Sequence, residues 1–366
     1  MARTATASNS GDQEPGEAPM TLHGLLNVSP ISWTKVLEMI KIANTTDVEE
    51  VDDMGSKPLD RAIQLHAPVD VIQALVERAP TQMEYKHPIS GDIPLLTACH
   101  PCHANRISER LKIHTDSRVH KIISCLLQAF PGAVLKKTQD GGMTPLHVLM
   151  QHRPPLALVE EMLDKIATVG SVDDVLMTRD DEDQNPLHVA IEHHAPTAII
   201  LCLIEACQES VMQTGNRELP LLHHAIFSGT SKAVLDSLLK IDSSAVLNQN
   251  NELKKNALQM AFDKKVSRWE TSQPEGEETS PEGVIQGEPM DLMSLKDAVE
   301  LTLKHLPKKC NVFEKGRDMK GPTKTAWGLY AKAMKPVVAD AKKCLKRCRH
   351  PPPDLTSLIK TLERIG

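Results

Sequence analysis

A phrase of eleven residues, Gln139-Asp140-Gly141-Gly142-Met143-Thr144-Pro145-Leu146-His147-Val148-Leu149, constrains this chain more than any other stretch. Asp-Gly-Gly favours a tight turn because glycine tolerates positive φ. Thr144 can cap the orphan N–H groups of a helix start, and Pro145 is preorganised for the first helical position. Turn, cap and the first apolar turn of a helix are thus packed together. Weaker copies of the phrase recur along the chain, so the first question is the period.

Anchored on the Leu that follows or stands near the Pro, the copies fall at Leu22, Leu59, Leu95, Leu146, Leu187, Leu222 and Leu258, with spacings of 37, 36, 51, 41, 35 and 36. Three positions after the anchor stands Ala62, Ala98, Ala190, Ala225 or Ala261, with Leu25 and Leu149 in the other two copies. A small residue there lets a second helix approach closely. Twelve and sixteen positions after the anchor come apolar pairs. They are Val71-Ile72 and Leu75-Val76, Leu158-Val159 and Met162-Leu163, Ile199-Ile200 and Leu203-Ile204, and Val234-Leu235 and Leu238-Leu239. A spacing of four puts both pairs on one helical face. Pro68, Pro155 and Pro196 mark the start of that second helix. The unit is a short helix, a tight turn, a longer helix and a connecting loop.

The irregular copies keep the phase. In copy three the pairs Ile122-Ile123 and Leu126-Leu127 come 15 late, and subtracting 15 from 51 leaves 36. About fifteen residues between His100 and Ser117 are therefore inserted between its two helices. Copy seven carries a polar segment from Ser267 to Pro289, too poor in apolar residues to order itself, before a second helix over Asp291 to Leu306. Copy four is expected to lengthen its loop from Gly170 to Gln184. Copy one has an irregular second helix, Ser32 to Ala43, as a terminal cap needs.

The unit resembles the ankyrin repeat, whose first helix opens on Thr-Pro-Leu-His. Thr144-Pro145-Leu146-His147 matches that motif fully, and Asn185-Pro186-Leu187-His188-Val189-Ala190 matches all but the Thr. Leu221-Leu222-His223-His224-Ala225 and Thr21-Leu22-His23 keep its Leu-His core. Copies two, three and seven place Asp60, Leu96 and Gln259 where His is usual. The resemblance covers roughly Met20 to Leu306. It implies an all-α, L-shaped solenoid of helical hairpins with loops along one edge, and protein binding without chemistry. It also implies that His23, His147, His188 and His223 are structural, each fixing a turn by a ring hydrogen bond.

Composition is compatible with thin helix-on-helix packing. Apolar residues are 40% of the 366 but aromatics only 2%, so the core must be aliphatic. The net charge of −6 predicts solubility and names no ligand. Residues Met1 to Met20 lack an apolar h-region, so no secretory signal is expected, and no apolar run reaches about 18 residues, so no membrane span is expected. The eight cysteines are then read as reduced thiols.

Several stretches carry residue types suited to chemistry. Cys99-His100-Pro101-Cys102-His103 has the C-x-x-C-H pattern of haem attachment, and Cys99 and Cys102 with His103 or His114 are suitable zinc ligands. Against both stands Cys99 as a small core residue following Ala98. His66, His152, His193 and His194 fall in the exposed turn between helices, either solvated polar surface or a stacked imidazole ridge able to sense pH or bind metal. Arg179-Asp180-Asp181-Glu182-Asp183 crowds four carboxylates into one loop without calcium-loop grammar. No nucleophile elbow, phosphate-binding Gly loop or metalloprotease helix appears.

Lys304 to His350 holds fourteen Lys and Arg. Its densest part supplies Lys342, Lys343, Lys346, Arg347 and Arg349, the composition of a nuclear-import signal, a nucleic-acid patch or a membrane-surface patch, and equally of a solvated helix, a C-terminal cap or an intramolecular partner for the acidic linker from Trp269 to Glu288. Stacking aromatics for nucleic acid are scarce there. Leu355, Leu358, Ile359, Leu362 and Ile365 stripe a last short helix.

The expected organisation is a disordered N-terminus over 1–19, a repeat array over 20–308 interrupted by a disordered acidic insertion at about 267–290, and a basic helical tail over 309–366. The expected function is a non-enzymatic scaffold or adaptor, cytoplasmic or nuclear, with no cofactor, binding an unnamed protein through Met143, Arg179, Asp181, Asp183, Arg217 and Glu218. The alternatives are a nuclear regulator whose tail contacts nucleic acid and a metal-binding protein built on Cys99 and Cys102.

Overall fold

The computed structural model describes residues 21–100, 117–215 and 219–242, together with Ala245, Lys335, Ala339 and Lys342. The N-terminal segment, the insertion over 101–116, copy seven with its acidic insertion, and the tail apart from Lys335, Ala339 and Lys342 lie outside the described residues.

The described chain is a file of helical hairpins. The first pairs α1 (Leu22–Asn27) with α2 (Trp33–Ile42), and α3 (Thr45–Glu49) lies in the link that follows. The next pair is α4 (Pro58–Gln64) and α5 (Val69–Arg78). Then come α6 (Pro94–Cys99) with α7 (Ser117–Ala129), and α8 (Pro145–Met150) with α9 (Leu156–Val169). A short α10 (Val172–Met177) leads to α11 (Pro186–Glu192) and α12 (Thr197–Ala206). Two short strands, β1 (Thr214–Gly215) and β2 (Leu219–Pro220), pair antiparallel before α13 (Leu221–Ser228) and α14 (Lys232–Ile241). First helices touch first helices, from α1 on α4 through α6, α8 and α11 to α13. Second helices do the same, from α2 through α5, α7, α9 and α12 to α14.

The periodic residues make these rows. Leu59, Leu95, Leu146 and Leu187 are fully buried, as are Ala62, Ala190 and Ala225 beside them. All the apolar pairs, including the displaced Ile122-Ile123 and Leu126-Leu127, are in the core. Each such aliphatic side chain contributes roughly 1.5–3 kcal/mol when fully buried. Its cover comes from the next hairpin, because a single hairpin has no second apolar face.

Two features differ from the expectation. Connecting loops are not plain loops: 3₁₀ turns occupy Pro80–Glu84, Pro131–Leu135 and Gln208–Met212. And copy four does not lengthen its loop so much as its helix. α9 runs 14 residues against 10 in α5 and α12, and α10 then takes the place of the 3₁₀ turn. The cause is Ile166, fully buried one turn beyond Met162 and Leu163, which gives the helix a third apolar anchor.

The turn between paired helices uses one backbone device in four of the described hairpins. Seven positions after the anchor, His66 (φ 52°), Arg153 (φ 49°), His194 (φ 55°) and Gly229 (φ 75°) all adopt the left-handed conformation. The N–H groups of Ala67, Ala195 and Thr230 then donate to the carbonyls of Ala62, Ala190 and Ala225, at 2.9, 2.8 and 3.0 Å, ending the helix in the usual left-handed cap. Two of the four turn histidines therefore stand at a position glycine would favour. Gly229→Ala should lower the urea midpoint of unfolding, by about 1 kcal/mol of stability, while His66→Gly should raise it by a few tenths to about 1 kcal/mol. Equal midpoints for both would contradict this account of the turn.

Candidate protein-interaction surface

Between hairpins the chain leaves the helical rows and returns through a loop that forms a finger. The second finger closes with Asp52 N–H donating to the Ser56 carbonyl at 3.0 Å, while Asp52 Oδ1 accepts from the N–H groups of Met54 (2.9 Å) and Ser56 (2.7 Å). The fifth finger repeats the scheme. Asp180 N–H donates to the Gln184 carbonyl at 2.9 Å, and Asp180 Oδ1 accepts from Glu182 and Gln184. Four positions before each anchor the backbone turns left-handed, at Gly55, Gly91, Gly142 and Asp183. The Asp-Gly-Gly turn is formed as its residues imply, with Gly141 at φ 87° and Gly142 at φ 60°. Part of the acidity of 180–183 is thus turn chemistry, since an Asp side chain there stands in for a missing backbone bond.

Neighbouring fingers are fastened to one another. Tyr85 donates its hydroxyl to the Gly55 carbonyl at 2.8 Å, and Ser56 Oγ lies 3.1 Å from His87 Nε2. Asp181 N–H donates to the Gly141 carbonyl at 2.9 Å. A Cβ on Gly91 would lie 2.6 Å from Gln139 Cβ, and one on Gly142 would lie 2.7 Å from Asp181 Oδ1. Glycine is needed at these two places both for its φ and for the close approach of the next finger.

Beneath the fingers, buried polar groups clasp one repeat to the next. His147 Nδ1 accepts from Thr144 N–H at 3.2 Å, so its Nε2 carries the hydrogen and donates to the Gln184 carbonyl of the following repeat at 3.1 Å. His23 Nε2 lies 2.9 Å from the Glu50 carbonyl in a similar reach. His188 makes its ring bond within its own turn and does not cross to the next repeat. Its Nδ1 lies 2.7 Å from Asn185 Oδ1, which can only accept, so Nδ1 carries the hydrogen. Nε2 is left without a hydrogen-bond partner among the described residues, against the edge-on His224 ring. Asn185 makes the crossing instead, donating through Nδ2 to Ser210 O at 3.0 Å and Gln213 Oε1 at 2.8 Å. The single change from Thr144 to Asn185 moves the clasp from one side chain to its neighbour.

Copy two places a carboxyl in this position. Asp60 is 1% exposed; Oδ2 accepts weakly from Lys57 N–H at 3.4 Å and Oδ1 has no partner among the described residues. Burial, only partly offset by Lys57, pushes its pKa up to about 7. Burial also drives His147 down to about 4, so its ring is neutral at neutral pH.

The sequence-derived site residues fall unevenly on this frame. Arg179, Asp181 and Asp183 are exposed on the fifth finger, with Arg179 Nη1 4.0 Å from Asp183 Oδ1. Met143 is half-buried rather than exposed: it packs against the core, and its sulfur accepts from Gln151 Nε2 at 3.2 Å. Arg217 and Glu218 lie outside the described residues, as do Lys343, Lys346, Arg347 and Arg349; Lys342 is helical and exposed. Cys99 is core, its thiol pushed up to about 12 by burial, which disfavours the thiolate a metal would need; Cys102 lies outside the described residues. Among the described residues no three His, Cys, Asp or Glu side chains gather as a metal site. No described helix is long and apolar enough to cross a membrane. The fingertip residues Val51, Met54 and Ile89 were not legible as a group, because the fold, not their spacing, sets them on adjacent loops.

Asp60 and His147 give opposite pH dependences. Asp60 keeps its proton to about pH 7 when folded and to about 3.8 when unfolded, so its contribution is present at low pH and is lost as pH rises toward 7. Asp60→Asn should leave the urea midpoint unchanged at pH 3.5 and raise it at pH 8, by roughly 2 kcal/mol or more. His147 takes up a proton near 6.5 unfolded and near 4 folded, so its contribution is full above 6.5 and falls away toward pH 4. His147→Gln should flatten the acid limb of the stability curve between those values.

No family model matches the sequence, and no curated protein matches it. Among solved structures, the ankyrin repeat domain of Bcl-3, a member of the IkappaB protein family, aligns at 20% identity and a TM-score of 0.44, covering 58% of this chain and 82% of its own. The human ASB11 ankyrin repeat domain aligns at 20% identity and a TM-score of 0.42, covering 63% and 86%. One chain of the complex between the Bd0816 predatory endopeptidase from Bdellovibrio bacteriovorus and the immunity protein Bd3460 aligns at 16% identity and a TM-score of 0.41, covering 57% of this chain and 91% of its own. Those superpositions are loose; the stacked hairpins, the Thr-Pro-Leu-His opening and the clasps between repeats are the stronger ground. On that geometry, the described helical pairs from α1 to α14 stack as an ankyrin-type repeat array.

Proposed function

We infer that the array is a scaffold that holds another protein along its finger edge and performs no chemistry of its own. One observation supports this reading most. The fingers are fixed at their bases and to each other by buried or half-buried bonds, yet carry charged and apolar side chains outward at their tips. Preorganised loops on a rigid frame lose little entropy on binding, which favours recognition. The mixed character of the edge, apolar at the second and third fingers and charged at the fifth, fits a protein surface better than a small molecule.

The experiment is affinity capture with the full chain, read by mass spectrometry. Arg179→Glu with Asp181→Lys should lower recovery of a specific partner about tenfold, equivalent to about 1.4 kcal/mol. Glu160→Lys, on the exposed side of α9 away from the fingers, should leave it unchanged. Equal losses from both variants, or none from either, would contradict the assignment.

A further inference from the structure

The second and third fingertips break the polar pattern of the edge. Val51 and Met54 are 48% and 62% exposed, and Ile89 is 66% exposed. A Cβ on Gly55 would fall 2.2 Å from Pro88 Cγ, so these two tips stand side by side. The link that carries the second tip is acidic: Asp47, Glu50 and Asp53 are exposed on it. The nearby cation Lys57 is turned inward, its Nζ 4.6 Å from the centre of the Tyr85 ring. Lys86 adds one exposed positive charge. An apolar knob on a mainly acidic link suits an occupant that is both apolar and basic.

The chain itself carries such a segment. Residues 331–349 hold Lys332, Lys335, Lys342, Lys343, Lys346, Arg347 and Arg349 against Asp340 alone, with Met334, Val337, Val338 and Leu345 between them. Lys335, Ala339 and Lys342 are helical and exposed, and their spacing of four and three sets them on one helical face. The roughly ninety residues between α14 and this segment place no limit on reach at about 3.3 Å per extended residue.

We propose that residues 331–349 dock on the Val51, Met54 and Ile89 fingertips of the same chain, occupying one end of the edge that an external partner would use. This rests on the reading of the finger edge as a recognition surface, and it makes the tail a competitor for that surface. Charge draws the segment in, and the apolar contacts fix where it sits.

Carbodiimide coupling of the full chain, with peptide mapping, tests it. A mixture of unlabelled and ¹⁵N-labelled protein separates links within one chain from links between two. The expected result is single-isotope links from Asp47, Glu50 or Asp53 to Lys332, Lys335, Lys342, Lys343 or Lys346. Their yield should fall roughly tenfold in Met54→Ser with Ile89→Ser, the effect of losing two apolar anchors. It should also fall steeply at about 0.5 M salt, where exposed charges are screened. Because both tips are exposed, the variant should keep the parent's thermal melt, which controls for folding. Absence of these links, links only between chains, or yields unaffected by the variant would overturn the proposal. The Arg179 and Asp181 variants lie on another finger, so partner capture can succeed while the tail proposal fails, and the reverse.

Discussion

Short helices that cannot cover their own apolar faces are the constraint on which everything else in this protein depends. α6 and α8 are six residues long and α4 and α11 seven, too short to persist alone in water. Leu95, Leu146 and Leu187 are buried only because helices before and after them close over the row. Stability is therefore shared between neighbours, and each repeat's environment includes two others. An aliphatic core follows: with 2% aromatics the chain fills thin, regular interlayers with Leu, Ile, Val and Ala.

Polar groups then set the register that burial alone would leave loose. Among the described residues the polar position beneath the fingers is filled in unlike ways. His147 crosses directly, Asn185 crosses in place of its histidine, and Asp60 sits at the same position as a nearly buried acid. A ring N–H, an amide N–H and a carboxyl can each face the same inter-repeat space, but they differ in the proton they hold. The array thus combines identical packing with unequal electrostatics, and pH acts on its repeats separately.

Much of this was legible in the residues, for physical reasons. The Leu anchors, the Ala three positions on and the paired aliphatics report burial, and burial repeats with the fold. Even the displaced Ile122 and Leu126 could be placed by phase. What stayed hidden was not periodic in residue type. The left-handed turn position is filled by two histidines, His66 and His194, by Arg153 and by Gly229, so no single residue type marks it. The length of α9 depends on one residue, Ile166, in an otherwise ordinary stretch. Met143 looked like a tip but is half-buried, because Gln151 and the core draw it inward. Val51, Met54 and Ile89 become a patch only once Gly55 and Pro88 are seen to touch.

The recognition surface inherits its rigidity from the stack, so the coupling between neighbours is the property to measure. Hydrogen exchange followed by mass spectrometry, on the full chain with and without Leu126→Ala, does so most directly. Leu126 is fully buried in α7 between α5 and α9. Removing it should cost about 2–5 kcal/mol locally and lower protection in α5, α7 and α9 together, with the effect fading by α14. Loss confined to α7, or spread evenly from α2 to α14, would contradict a file of hairpins that hold one another in place.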